Sequence, residues 1–383
     1  AKNSALTELR RCGQAPWLDF IERGLLRTGA LARMINAGEI TGLTSNPTIF
    51  EKAIAEGREY DDEIERLVKA GNDPAAIVDA LTLADIRAAC DLFRPVHTQT
   101  KRTDGFVSIE VSPALAHDAK KTVQEAKRLW RTIKRPNLMI KIPATAEGLP
   151  AITDAIAAGI NVNVTLIFAL ERYREVVDAY LTGLERRRAA RKPLSSIASV
   201  ASFFVSRVDT AVDRLLDERI GSMSGAARTQ LEQLRGKAAI ANTKLAYEAF
   251  TETFGSDRFA PLREAGAQVQ RPLWASTSTK NPAYPDIYYI EALVGADTVN
   301  TLPPATLAAY KDHGVPEPRI HFALDRAQQV FAQLAQHGVD LDAITAQLER
   351  EGVASFADSW ASLHAAVAAR REAIAVGARA NLQ

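Results

Sequence analysis

The sequence predicts an α/β fold, a closed (β/α)8 barrel or TIM barrel with additional helices, and three observations carry that expectation. Short β-branched or alternating runs recur along the chain, a longer stretch of helical periodicity follows each, and the runs number eight. Strands alternating with helices imply parallel pairing with both outer faces covered, and eight such units point to a closed barrel rather than an open sheet. No Gly-rich GxGxxG opens a helix after the first run, which argues against an open dinucleotide-binding sheet.

The candidate strands, in order, are APWLDF at 15–20, EITGLTSN at 39–46, GFVSIEVS at 105–112, NLMIKIPA at 137–144, INVNVTLIF at 160–168, SIASVASFFVS at 196–206, RPLWASTS at 271–278 and DTVNTLP at 297–303. Between them the periodicity changes. In RYREVVDAYLTGL, Tyr173, Val176, Val177, Tyr180, Leu181 and Leu184 form one apolar helical stripe. The step from Asn46 to Glu110 is too long for one β/α unit, so 57–94 reads as an insertion of two or three helices, split near Gly71, Asn72 and Pro74. From about Pro318 the chain is helical again, with Leu324, Ala327, Phe331 and Leu334 on one face and a second pattern from Phe356 to Ala373. No Pro-, Gly- or Ser-rich linker intervenes. The expected organisation is a catalytic barrel over 1–317 and a helical C-terminal extension over 318–383 packed on it.

Composition narrows the partners. The 47 basic and 46 acidic residues among 383 leave a net charge of +1, so no broad field attracts nucleic acid or anionic lipid. With 47% hydrophobic and 24% charged residues the chain has an ordinary globular composition. Cys12 and Cys90 form no CxxC, and the six histidines show no metal-ligand spacing, so neither a disulfide framework nor a metal site is expected. The segment AKNSALTELRR lacks an apolar signal region, and no stretch approaches ~18 uninterrupted apolar residues. A cytoplasmic protein without membrane or nucleic-acid partners is the expectation.

Splitting each strand by parity separates its two faces. In FVSIEVS, Val107, Ile109 and Val111 oppose Phe106, Ser108 and Glu110; in NVNVTL, Val162, Val164 and Leu166 oppose Asn161, Asn163 and Thr165. NLMIKIP sets Leu138, Ile140 and Ile142 against Asn137, Met139 and Lys141, and WLDF sets Leu18 and Phe20 against Trp17 and Asp19. The apolar sets can pack under helices, which leaves Asp19, Glu110, Lys141, Asn163 and Thr165 facing inward near the C-terminal strand ends, where barrels carry active sites. Any one of them could be a satisfied core group. Five on one face is poor structural economy, because buried charges and amides cost several kcal/mol unless paired.

One lysine with carboxylates nearby and no histidine suits one chemistry. A buried amine tends to lose its proton and can attack a carbonyl to give a Schiff base, whose iminium is an electron sink. One carboxylate can shuttle the dehydration protons, and a second can take the hydroxyl proton that starts carbon–carbon cleavage. This is metal-free class I aldolase chemistry. The structural alternative for Lys141 is an ion pair with Glu110 or Asp19.

Seven ordered motifs between about Gln14 and Gly314 carry a resemblance: WLD at 17–19, GLTSNPTIF at 42–50, VSIEVSPALAHD at 107–118, NLMIKIPATAEGLPAI at 137–152, GINVNVTLIF at 159–168, ASFFVSRVD at 201–209 and WASTSTKNP at 274–282. In these the chain resembles the transaldolase family, in its longer bacterial and plant-like type. The resemblance implies a class I aldolase barrel that transfers a dihydroxyacetone unit from sedoheptulose 7-phosphate to glyceraldehyde 3-phosphate without a cofactor, giving erythrose 4-phosphate and fructose 6-phosphate. It further implies Lys141 as the Schiff-base lysine, Glu110 as acid and base through a water that Thr165 helps hold, and Asp19 as the carboxylate serving the C4 hydroxyl. Asn46 and Asn163 match amides that hold substrate hydroxyls and the carbanionic intermediate, while Thr44 and Ser202 match smaller polar contributors. Arg207 matches the family's phosphate arginine. Phe204 matches an aromatic that shapes the pocket, and plain barrel packing is its alternative.

The chain departs from the pattern at the second phosphate contact. Shorter members carry an arginine directly before an asparagine there, whereas this chain reads STSTKN with two apparent extra residues. Lys280 is assigned that role. The competing readings are a fructose 6-phosphate aldolase, whose members are shorter and replace the carboxylate matching Glu110, and a catalytically silent sugar-phosphate-binding barrel. The expected partners are small phosphorylated sugars, with the chain a monomer or homodimer. The basic run 186–192 reads as a solvated helix end placed favourably for the helix dipole, and His117 as a surface or core residue. The tail after about 318 carries no recognisable motif.

Overall fold

A computed structural model describes residues 4–380. Helix α1 (Ala5–Arg11) precedes β1 (Gln14–Asp19); α2 (Arg23–Arg27) and α3 (Ala30–Asn36) lead to β2 (Gly42–Thr44). Next come α4 (Pro47–Glu56), α5 (Asp61–Lys69), α6 (Pro74–Gln99), β3 (Val107–Glu110), α7 (Ala119–Ile133) and β4 (Leu138–Pro143). Helix α8 (Gly148–Ala158), β5 (Val162–Ile167), α9 (Leu170–Ala189) and β6 (Ser199–Phe204) continue the alternation. Four helices, α10 (Ser206–Ile220), α11 (Gly225–Leu234), α12 (Ala238–Phe254) and α13 (Ala260–Glu264), separate β6 from β7 (Arg271–Ala275). The circuit ends with α14 (Tyr288–Ala292), β8 (Thr298–Leu302) and α15 (Pro304–His313), followed by α16 (Leu324–Gln336) and α17 (Leu341–Ala380).

The eight strands pair in parallel and in sequence order, and β8 closes on β1. Each expected run contains one strand, so the barrel expectation is borne out. Apart from β1, which starts one residue before its run at Gln14, the strands are shorter than the runs, and at β2 local chemistry ends the strand early. Only Gly42–Thr44 of the run at 39–46 is strand. The Asn46 side chain accepts from the N–H of Ile49, and Pro47 occupies the first helical turn, so the end of the run becomes a helix start. Asp73 caps α6 and Asp118 caps α7 in the same manner.

The outward strand residues Val107, Ile140, Ile142, Val162 and Val164 are fully buried beneath the helices in one contiguous core. Tyr173, Val176, Tyr180 and Leu184 of α9 are buried with them, as the stripe requires. One detail of the basic run differs from its reading as a solvated end. Arg187 is buried, donating to the carbonyl oxygens of Pro193 and Ala157; it caps the C-terminus of a helix rather than facing solvent.

Two features shape the upper, C-terminal end of the barrel. The β5–β6 register shifts between Val164 and Ile167, and Leu166 there has φ +61°. Ser276, just past β7, has φ +54°. Left-handed non-glycine residues of this kind store strain and cluster at functional sites. Above them runs α17, a helix of 40 residues, long enough at about 60 Å to cross the whole barrel. It packs against α4, α5, α6, α10 and β5. Arg370 ties it to the carbonyl oxygens of Ala55 and Gly57, and the Thr48 and Ser359 hydroxyls meet at 2.8 Å.

Candidate active site

At the C-terminal end of the barrel lies a cavity of about 150 Å³. Nine of the residues singled out from the sequence line it: Asp19, Thr44, Asn46, Lys141, Thr165, Ser202, Phe204, Arg207 and Lys280. A larger groove of about 320 Å³ between α12 and α16 contains none of them. The two exceptions are Asn163 and Glu110: Glu110 borders two neighbouring spaces instead, and Asn163 lies among the buried strand residues beneath Ser202. Asn163 donates to the Ser108 hydroxyl at 3.0 Å and accepts from the Ser202 hydroxyl at 2.6 Å, so it braces the cavity floor.

Strand register sets the central pair. Glu110 lies opposite Lys141 on β3 and β4, and Lys141 opposite Asn163 on β5. The Lys141 ammonium donates to the Ser45 carbonyl at 3.1 Å and stands 3.9 Å from a Glu110 carboxylate oxygen. Both side chains are buried. Neither Glu110 oxygen has a hydrogen-bond partner, nor does the Thr165 hydroxyl. Burial pushes the Glu110 carboxyl up to about 7, against the opposing pull of Lys141. At near-neutral pH such a group can both give and take a proton.

Asp19 ends β1 beside Thr44 of β2. Burial raises its pKa, and the cations Lys141 and Lys280 oppose the rise. Asn46 is oriented by its capping role: with Oδ1 accepting from Ile49, its amide nitrogen is the end left to donate.

The outer wall is basic. Arg207 lies in the first turn of α10, its guanidinium 5.9 Å from the centre of the Phe204 ring. Phe204 in turn packs on Phe168 with ring centroids 5.1 Å apart. The Lys280 ammonium donates to the Ser278 carbonyl at 3.0 Å and the Ser276 hydroxyl at 3.3 Å. Its side chain reaches solvent, yet surrounding protein and the like charge of Arg207 draw it down to about 8. Two cations meeting at a helix N-terminus make an anion site.

The family model described as Transaldolase/Fructose-6-phosphate aldolase matches residues 16–367. The chain belongs to this family. A protein named transaldolase from Parafrankia sp. (strain EAN1pec) is 50% identical over 359 residues, covering 94% of this chain and 95% of its own length. Relatives of the same name from Frankia alni and Mycobacterium tuberculosis are also 50% identical, over 367 and 365 residues; they cover 96% and 95% of this chain, and 97% and 96% of their own lengths. The family resemblance read from the seven motifs is borne out, and family and relatives together mark a transferase enzyme that acts on sugar phosphates.

The family match also reaches well into the tail that carried no recognisable motif. Phe356 of α17 lines the cavity opposite the strand ends, together with Ser276, Ser278, Thr301 and Pro303. Ser276 and Ser278 fall within the WASTSTKNP motif, but Phe356 has no local signal. His117 lies on the surface, 3.2 Å from Glu147. Among the described residues no three His, Cys, Asp or Glu side chains converge as metal ligands, no helix is long and apolar enough to cross a membrane, and Cys12 and Cys90 are free.

Proposed function

We propose that the chain transfers a dihydroxyacetone unit from sedoheptulose 7-phosphate to glyceraldehyde 3-phosphate through a Schiff base on Lys141, releasing erythrose 4-phosphate and then fructose 6-phosphate. The observation that carries this reading is Lys141, buried 3.9 Å from an unpartnered Glu110 on the floor of a cavity whose wall holds Arg207 and Lys280.

The Lys141 amine adds to the C2 carbonyl, and the carbinolamine hydroxyl takes a proton from Glu110 and leaves as water. Asp19 accepts the C4 hydroxyl proton, the C3–C4 bond breaks, and its electron pair moves into the iminium to give an enamine. Erythrose 4-phosphate departs. The enamine carbon then attacks the aldehyde of glyceraldehyde 3-phosphate, Asp19 returns its proton to the new alkoxide, and water adds to the iminium with Glu110 as base; the carbinolamine collapses as its hydroxyl proton passes to the Lys141 nitrogen, breaking the C–N bond and freeing fructose 6-phosphate. Thr165 supports the position of that water. Thr44, Asn46 and, through Ser202, Asn163 hold hydroxyls, and Phe204 shapes the wall beneath Arg207. No cofactor enters any step. The retained Glu110 favours transfer over simple aldol cleavage. We place the protein in the cytoplasm as a monomer or homodimer.

The test is borohydride trapping. Fructose 6-phosphate with borohydride should add a reduced dihydroxyacetone or hexose moiety at Lys141, located by peptide mapping; no adduct, or one elsewhere, would sink the assignment. Release of free dihydroxyacetone without acceptor, at rates matching transfer, would instead select the aldolase.

A further inference from the structure

Glu110 is the one candidate catalytic group that does not line the sugar cavity. It lines two other spaces, both bordered by Thr82, Ile109 and Trp360. The inner one is a cell of about 10 Å³, room for about one water molecule, walled by Asn46, Phe50, Thr82, Ile109 and Trp360. The outer one is a groove of about 450 Å³ with walls from α6, α7 and α17. Thr82, Ile109, Glu110 and Trp360 border both spaces, so the two adjoin. Asn46 borders the inner cell and the sugar cavity alike. The Glu110 side chain is buried and both of its oxygens lack partners. Along the groove wall, the His364 ring meets Trp360 at a tilt of 59° with centroids 5.0 Å apart, and its Nε2 also has no partner.

This arrangement meets a requirement of the reaction proposed above, on which the inference rests. Forming the iminium from a ketose releases one water, made from the C2 hydroxyl and the Glu110 proton. Releasing the product ketose consumes one water, whose proton goes to Glu110 as its oxygen bonds to C2. Both steps occur while a sugar phosphate fills a mouth that α17 already roofs. We propose that the groove between α6 and α17 is a second entrance to the active site, a passage by which water and protons reach Glu110 from behind while sugar occupies the front. Thr82 and Trp360 form its neck. Thr82, with its hydroxyl donated to the Val78 carbonyl, keeps a lone pair available to a passing water.

The experiment follows oxygen. The protein is incubated with fructose 6-phosphate in 18O-water, and label entering C2 above the non-enzymatic background is compared with the rate of transfer to erythrose 4-phosphate. Thr82→Ile narrows the neck from inside, and Ala76→Trp obstructs the outer groove from an exposed helix position. Each is expected to lower the ratio of exchange to transfer at least fivefold, while Trp360→Ala leaves that ratio unchanged or raises it. Should Thr82→Ile fail to fold, Ala76→Trp decides. An unchanged ratio in the folded narrowing variants overturns the passage, as does absence of label from a protein that still gives the Lys141 adduct. Absence of the adduct itself is a separate outcome, which defeats the Schiff-base reading rather than the route of the water.

Discussion

Glu110 and Lys141 face each other in register on β3 and β4, and the ammonium nitrogen stands 3.9 Å from the nearer carboxylate oxygen. That is within Coulombic range but beyond a hydrogen bond. The lysine's hydrogen bond goes to the Ser45 carbonyl instead, so the carboxylate is left without a donor. A buried ion pair kept only for stability would close this gap, because an unsatisfied buried carboxylate costs free energy. With no donor on either oxygen, the carboxyl is free to serve a carbonyl or water that reaches the amine.

Activity should therefore depend on a group titrating near pH 7. With the Glu110 carboxyl pushed up to about 7, the acid form that expels water prevails below that pH and the base form above it. In Glu110→Gln the limb near pH 7 should vanish from the pH profile. Turnover should fall by about 10²–10⁴, the usual contribution of general acid–base catalysis, with KM shifted less than threefold. Steady-state kinetics from pH 5.5 to 9 check both, and a retained limb would move the titration to another group.

The same carboxyl should cost stability at alkaline pH. Its folded pKa lies above the ordinary 4.5, so the folded protein holds a proton that the unfolded chain has released. Glu110's contribution is fully present below about 4.5 and lost as pH rises through about 7, by about 3 kcal/mol from the size of the shift. Glu110→Gln, which has no proton to lose, should gain stability over the natural protein at pH 8 relative to pH 5. Urea unfolding at the two values measures the difference, and a gain of equal size at both would contradict this origin.

Phosphate affinity should weaken as Lys280 loses its charge. Its ammonium is drawn down to about 8, so KM for phosphorylated substrates should rise as pH passes from 7.5 to 9, after correction for the turnover limbs. Lys280→Arg should flatten that rise, since a guanidinium stays protonated and can bind phosphate in a bidentate manner. Arg207→Ala should raise KM by at least tenfold while leaving activity on unphosphorylated fructose within about threefold. An equal loss on both sugars would mean that Arg207 supports the fold of α10 rather than the phosphate.

Much of this site was legible because strand parity is a strict code. Alternation along the strands puts Lys141, Asp19 and Thr165 on the inner face, and all three line the cavity. Parity gives a face and not the space a side chain borders, so it groups Glu110 and Asn163 with them although Glu110 borders other spaces and Asn163 braces the floor. The Ser45 carbonyl, which holds the Lys141 ammonium, has no side-chain signature. Leu166 offers no hint of its left-handed backbone, because a leucine in an apolar run predicts an ordinary strand. Phe356 reaches the cavity only through the tertiary path of α17, which local periodicity cannot reveal.

A buried network should make the segment after β1 sensitive to single changes. Arg23 donates through Nε to Asp85 at 3.0 Å and pairs with Glu63, while the Tyr60 hydroxyl donates to Asp85 at 2.7 Å and accepts from the Arg23 N–H. Arg23 and Asp85 are both buried. Breaking one side of such a pair leaves an uncompensated charge and typically costs ~3–5 kcal/mol. Arg23→Met should lose about that much by chemical denaturation, and pairing it with Asp85→Leu should recover part of the loss. A single-variant loss under about 1 kcal/mol would show the pair to be well solvated.

The close approach of α17 to the barrel should limit what position 352 can hold. A Cβ at Gly352 would stand 2.9 Å from the Leu166 Cδ2 atom, at the left-handed bulge of β5, and Phe356 one turn later enters the cavity. The bulge lifts Leu166 toward the helix, and the missing side chain at 352 lets the helix settle onto it. Gly352→Ala meets only the end of a leucine side chain, which can turn aside, so its effect on kinetics should stay within about threefold. Gly352→Leu cannot be accommodated that way and should raise the helix from the mouth, withdrawing Phe356 and increasing KM by tenfold or more. Phe356→Ala, which removes the ring without moving the helix, separates the two causes. If it reproduces the KM of Gly352→Leu, the ring itself makes the contact; if only the glycine variant is impaired, the seating of α17 closes the site.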